Sequence, residues 1–241
     1  MKPSLHNTPT DNTLPPPEVT APTASSKTPL CEVSVQLLLA QIHVNNGRLT
    51  DAFNMFEVAA RSADPRALNM LGRAYERGWG VTRNPSTAAT YFSHAASLGD
   101  AWAMFNLADL YMAGDGVPFD IPKAYDLYLS AAQNGVTKAF TMLGLIIEDG
   151  AIPNAEPDAA VKLFEAAANA GDCWGYLNMA RHHLSSNNID PALHCFSRAL
   201  DLGFHDVFLA TERLLANRRD PRLQNVVARA RHYLNRPSAD R

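Results

Sequence analysis

Cysteine is scarce: three residues in 241, too few for a disulfide scaffold. No run approaches the ~18 consecutive apolar residues of a membrane-spanning helix. Charge of one sign is also missing. The net charge is −3, too small to steer the whole chain toward nucleic acid or an anionic membrane. The first residues, Met-Lys-Pro-Ser-Leu-His-Asn-Thr, contain no apolar stretch, so no secretory signal is expected. No segment alternates as a strand does. There is no Gly-x-x-x-x-Gly-Lys-Ser/Thr loop and no strand–Gly-x-Gly-x-x-Gly–helix unit for a nucleotide. What remains, 46% hydrophobic and 19% charged residues, is the composition of a soluble globular chain with ample length for a core.

Residues 1–30 hold seven prolines, at 3, 9, 15, 16, 17, 22 and 29, among Ser, Thr and Asn. Proline removes backbone donors and short polar side chains bury little, so a disordered tail is expected there. Pro15-Pro16-Pro17 is the one stretch that suits a polyproline II docking segment.

The rest of the chain repeats. Three rows of 36 residues (65–100, 101–136 and 137–172) align without a gap. Leu71, Leu107 and Leu143 share a column, followed by Gly72, Ala108 and Gly144. Gly78, Gly114 and Gly150 recur, as do Ala88, Ala124 and Ala160. Phe92, Tyr128 and Phe164 form an aromatic column, and Gly99, Gly135 and Gly171 close the rows. Shorter relatives flank them at 33–64 and 173–204, with Leu39, Phe56, Met179 and Phe196 in matching columns, and a capping segment follows at 205–236.

Each row reads as two helices. The first carries Ala67, Met70, Leu71, Ala74 and Tyr75 at helical spacing. Asn84-Pro85, Asp190-Pro191 and Asp220-Pro221 each place a capping side chain before proline at the first helical position of a following helix. Gly78, Gly80, Gly114 and Gly116 suit a turn that needs positive φ. Gly72 and Gly144 suit close approach of a neighbouring helix. One helical pair cannot bury its apolar face alone, so stacking is required. The expected fold is all-α: a solenoid of about five or six helical hairpins over 31–236.

The pattern Leu-Gly-x-x-Tyr-x-x-Gly-x-Gly-Val, then Ala, an aromatic, Ala-Ala and a final Gly, resembles the Sel1-like repeats, close kin of the tetratricopeptide repeats. Row three departs from it: Ile147 replaces Tyr, and Ala151-Ile152-Pro153 replaces x-Gly-Val, so an altered loop is expected. The resemblance implies a right-handed α-α superhelix and a non-catalytic adaptor or scaffold that holds a protein partner on its concave face, without a cofactor. Some members of that family have been linked to β-lactam chemistry, which makes hydrolysis of β-lactam or cell-wall substrates the enzymatic alternative. The residues three before Lys27, Lys123, Lys138 and Lys162 are Ala24, Asp120, Gly135 and Ala159, so the Ser-x-x-Lys nucleophile motif is absent.

In such solenoids the first helices line the groove. The positions left over from the core are Leu37, Gln41 and Val44; Arg66, Asn69, Arg73 and Arg77; Trp102, Phe105, Asp109 and Met112; Lys138, Thr141, Leu145, Glu148 and Asp149; and Trp174, Leu177 and Arg181. These give an apolar patch beside a basic and an acidic edge, suited to a peptide or helix. Replacing Phe105 by Ala or Asp109 by Arg is then expected to abolish partner capture with helicity unchanged. The column of Trp102 and Trp174 equally suits inter-repeat core. Trp79, between two loop glycines, is expected to fold back over its hairpin, an exposed anchor being the alternative.

Residues 101–204 hold 12 acidic and 5 basic residues, net −7, whereas 205–241 hold 4 acidic and 8 basic, net +4, all eight being Arg. A polar cap on the last repeat accounts for these arginines; RNA or an acidic partner is the alternative, with only Tyr233 to stack a base. His182, His183, His194, Cys195 and His205 cluster, but adjacent His182 and His183 point about 100° apart on a helix, so no metal site is expected. His183 sits in the repeat's Tyr column, a core position. Cys173 and Cys195 are offset by about 9 Å on antiparallel helices, beyond disulfide reach. Free thiols and a cytoplasmic location are expected.

Overall fold

Five carboxylates and one carboxamide cap the starts of half of the described helices. In the computed structural model, which describes residues 30–235, the side chain of Asp64 accepts from the Arg66 backbone N–H, Asn84 from Thr87, Asp100 from Ala103, Asp120 from Lys123, Asp172 from Gly175 and Asp220 from Arg222. Each satisfies an N–H that has no intrahelical partner. Among the described residues twelve helices follow: α1 (Leu30–Asn45), α2 (Leu49–Ala60), α3 (Pro65–Arg77), α4 (Pro85–Ser97), α5 (Ala101–Ala113), α6 (Ile121–Gln133), α7 (Lys138–Glu148), α8 (Ala159–Asn169), α9 (Cys173–Ser185), α10 (Ile189–Leu202), α11 (His205–Leu215) and α12 (Pro221–Leu234). The Pro-rich segment and Pro15-Pro16-Pro17 lie outside the described residues.

The helices pair in chain order into six antiparallel hairpins, and each hairpin packs on the next. The fold is the expected α-solenoid. Its core is an aromatic column. Phe56, Phe92, Tyr128, Phe164 and Phe196, one on each second helix from α2 to α10, are fully buried. The small residues of the first helices admit these rings. A Cβ on Gly72 would stand 2.7 Å from the Phe92 ring, and one on Gly144 2.5 Å from the Phe164 ring.

The Gly-x-Gly loops tie successive repeats together. Gly78, Gly80, Gly114 and Gly116 all have positive φ. Gly116 lies on the start of α4, where a Cβ would meet the Pro85 carbonyl carbon at 2.4 Å. Beside it the Ser86 hydroxyl donates to the Gly116 carbonyl at 2.8 Å, and Arg83 pairs with Asp115. The third repeat lacks this second glycine and runs instead through a turn with Asn154 at φ 61°.

Two positional expectations change. The cap of α10 is Asn188, so Asp190 lies within the first turn, because Asn187 at φ 57° closes the preceding turn early. There its carboxylate takes an ion pair from Arg222 at 2.8 Å. Leu39, aligned by spacing with the buried Leu71, is exposed together with Val35, Leu38 and Ile42, because among the described residues no hairpin lies ahead of α1.

Candidate functional site

First helices α3, α5 and α7 enclose an open recess of about 430 Å³, lined by Asn69, Met70, Arg73 and Arg77, by Trp102, Phe105, Asn106 and Asp109, and by Lys138. Its aromatic wall is continuous with the core. Trp102, 48% exposed, meets the Phe105 ring edge to face at 5.8 Å, and Phe105 meets the buried Tyr128 at 5.3 Å. Trp102 owes its exposure to its place at the second position of α5, ahead of the turn that packs Ala103 and Leu107 inward. A second recess, on α4 and the 116–117 loop, is lined by Ser86, Thr90, Ser93, His94 and Ser97, with no Trp, Tyr or Phe among its described lining residues.

Charge in the aromatic recess is unevenly neutralised. Tyr128 donates its hydroxyl to Asp109. Burial pushes the Asp109 carboxyl up to about 6, against the opposing pull of the Tyr128 hydrogen bond and of Arg77 and Lys138. Burial raises the Tyr128 phenol as well, with the adjacent carboxylate adding to it. Desolvation lowers the Arg73 guanidinium, which stands 5.3 Å from the Trp79 ring centroid. Lys138 Nζ lies 6.0 Å from the Trp102 centroid. Arg77 pairs with Glu76 at 3.4 Å.

The recess therefore gathers Asn69, Arg73, Arg77, Trp102, Phe105, Asp109 and Lys138 from the positions expected to face the groove. Others turn away. Thr141 is buried and donates to Asp172 at 2.6 Å, and Leu177 is buried. Their column therefore splits along the solenoid: Asn69, which accepts from Asn106 at 2.8 Å, and Phe105 line the recess together with Met70 and Asn106 of the next position, whereas Thr141 and Leu177 lie in the seam between repeats.

Several more expected positions serve the scaffold. Arg66 bonds its own helix cap, Asp64, at 2.9 Å. Met112 packs on the core cluster of α5–α8, and Leu37 and Val44 pack on that of α1–α3. Gln41 donates to Asn45. Glu148 pairs with Arg181 between α7 and α9. Leu145 is half-buried and Asp149 caps α7. The shared column of the two tryptophans splits: Trp102 is exposed, while Trp174 lies on the α9–α12 core with Phe204 against its ring at 6.5 Å. Trp79 packs on the α1–α3 cluster, folded over its hairpin.

At the far end, arginines of α12 pair with neighbouring acids. Arg222 bonds Asp190 and Asp220, Arg229 bonds Asp201, and Arg231 bonds Glu212. Arg236 and Arg241 lie outside the described residues. Among the described residues no three His, Cys, Asp or Glu side chains converge as metal ligands, and His183 is half-buried beside His182. Cys173 and Cys195 are buried free thiols, and burial pushes the pKa of each up, against ionisation. No described helix is long and apolar enough to cross a membrane.

Comparison with known proteins agrees with the architecture. The Sel1 repeat model matches residues 65–100, 103–136 and 139–172. The ERAD-associated E3 ubiquitin-protein ligase component HRD3A of Arabidopsis thaliana is 36% identical over 100 residues, which are 39% of this chain and 15% of that protein. Protein sel-1 homolog 2 of Homo sapiens is 39% identical over 83 residues, 34% of this chain and 12% of that protein. The chain thus spans a small part of these relatives' length. A Sel1 repeat protein from Oxalobacter formigenes superposes with a TM-score of 0.68 at 22% identity, covering 83% of this chain and 87% of that one. The protective antigen c5321 of uropathogenic Escherichia coli superposes with a TM-score of 0.64 at 22% identity, covering 83% and 46%.

Proposed function

From a chain that carries three tandem Sel1 repeats, we propose a non-catalytic adaptor that holds a protein partner, as a peptide or helix, in the recess between α3, α5 and α7. The observation that carries this reading is Trp102. A large aromatic side chain, 48% exposed, meets the half-buried Phe105, which in turn meets the buried Tyr128, in a recess that also holds a partly desolvated guanidinium. Aromatic residues and Arg are the types that anchor interfaces. The residues around Trp102 bind and orient; none forms a nucleophile–base pair within the recess, and the proposal assigns no bond-making step to them. A reducing, cytoplasmic compartment belongs to the same proposal, supported by the free thiols of Cys173 and Cys195.

The test is capture of partners from cells that make the protein, with wild type and Trp102→Ala compared quantitatively. Trp102 contributes little to the core, so the variant keeps the helical circular dichroism and melting temperature of wild type. Loss of the captured set from Trp102→Ala supports the reading. Equal capture by wild type and Trp102→Ala combined with Arg73→Ala rejects it.

A further inference from the structure

Three cations line the recess, and their neutralisation differs. Arg77 has Glu76 at 3.4 Å. Arg73 and Lys138 form no ion pair among the described residues; each lies instead near an indole, at 5.3 Å from Trp79 and 6.0 Å from Trp102. Glu76, paired with Arg77, attracts the partly desolvated Arg73 guanidinium without bonding it, so the cost of its burial is only partly offset. An arriving carboxylate offsets that cost and matches the planar fork of Arg bidentately. Asp109, the one carboxylate among the described residues that line the recess, already accepts the Tyr128 hydroxyl from α6. Beside these cations the faces of Trp102 and Phe105 offer an apolar bed whose one polar group is the Trp102 indole N–H.

Building on the groove reading, we propose that the occupant is an acidic peptide segment: an Asp or Glu side chain seated between Arg73 and Lys138, with a neighbouring aromatic or large aliphatic side chain on Trp102 and Phe105. Charge complementarity selects this occupant. A basic peptide would meet three cations, and a purely apolar one would leave Arg73 desolvated and unpaired.

Binding of such a segment is coupled to a proton. The incoming carboxylate faces Asp109, whose other charged or titratable neighbours are Glu76 and Arg77 on α3, Tyr128 on α6 and Lys138 on α7. Two carboxylates in one site raise the pKa of the one that is buried. Asp109 already titrates near 6, so the complex takes up a proton that the free chain lacks at pH 7.5. Affinity therefore rises as pH falls from 7.5 toward 5.5.

A phage-displayed library of random dodecamers, selected on the full chain at pH 6, tests this directly. Enriched peptides are expected to carry Asp or Glu within two residues of Trp, Phe or Leu. The best synthetic peptide, titrated calorimetrically, is expected to lose at least tenfold in affinity with Arg73→Ala plus Lys138→Ala, and likewise with Trp102→Ala. With Asp109→Asn it is expected to bind at pH 7.5 as tightly as wild type does at pH 5.5. Peptides that depend on Trp102 but are neutral or basic, or that ignore the loss of Arg73 and Lys138, overturn the acidic assignment and leave the groove reading in place. Peptides indifferent to Trp102→Ala overturn both. Failure to enrich any sequence overturns a linear acidic peptide as the occupant.

Discussion

Tyr128 donates its hydroxyl to the carboxylate of Asp109, so the floor of the recess is joined to the most buried aromatic ring of the second repeat. Binding surface and core share one hydrogen bond. Asp109 is therefore a poor place for a charge-reversing substitution. Asp109→Arg, which sequence reasoning offers as a clean test of binding, sets a cation beside Arg77, Lys138 and the buried phenol. It is expected to lower the melting temperature as well as to disrupt the recess.

The same pair predicts a pH dependence of stability. The folded-state pKa of Asp109 is about 6 against 3.8 for the free side chain, so folding favours its neutral form. The penalty is fully present above pH 6 and is relieved as pH falls through 6 toward 3.8. It is on the order of 2–3 kcal/mol at neutral pH. Urea unfolding of wild type and Asp109→Asn at pH 7.5 and 5 should show the variant more stable at pH 7.5 and the advantage shrinking at pH 5. A constant difference would remove Asp109 as its source.

Gly116 and Gly99 separate backbone strain from steric fit. Both have positive φ, 73° and 91°. A Cβ on Gly99 meets nothing within 4 Å, whereas one on Gly116 meets the backbone of Pro85 and Ser86 at 2.4 Å. Both Ala variants incur about 1–2 kcal/mol of left-handed strain. Gly116→Ala should cost at least ~1–3 kcal/mol more from overpacking. Chemical denaturation checks this, and equal losses would mean the loop yields at no cost.

Thr141 tests the seam between repeats. Its hydroxyl and the Gly175 N–H both donate to the same Asp172 oxygen. Thr141→Val should cost about 1–3 kcal/mol by removing a partner from a buried carboxylate, while partner capture by the folded variant stays unchanged. Loss of capture at full stability would restore Thr141 to the groove.

Much of this was legible in the chain itself. A period of 36 with glycine, alanine and aromatic columns leads to stacked helical hairpins, because each column has one packing role in every repeat. Rotation about the helix axis was not legible. Asn69 and Phe105 line the recess while Thr141 and Leu177, in the same column, are buried, a difference set by how the hairpins nest. Trp102 and Trp174 share a column yet differ in exposure because Phe204, from the shorter final repeats, covers the latter. Leu39 follows the pattern of Leu71 but is exposed, with no preceding hairpin among the described residues to pack on. The short loop before α10 hid its cap, since Asp190-Pro191 imitates the start that Asn188 actually makes.

The ion pair of Arg181 with Glu148 links α7 to α9, both side chains being more than a third exposed. Arg181→Ala should cost no more than ~1 kcal/mol and should leave partner capture intact.

Site-specific photocrosslinking addresses the central claim most directly. A benzoyl-phenylalanine at position 102, in the recess, is compared with one at position 93 on the α4 face, each in cells that make the protein. The account predicts a discrete crosslinked partner from position 102 and none from position 93; a partner trapped from 93 and absent from 102 would contradict it.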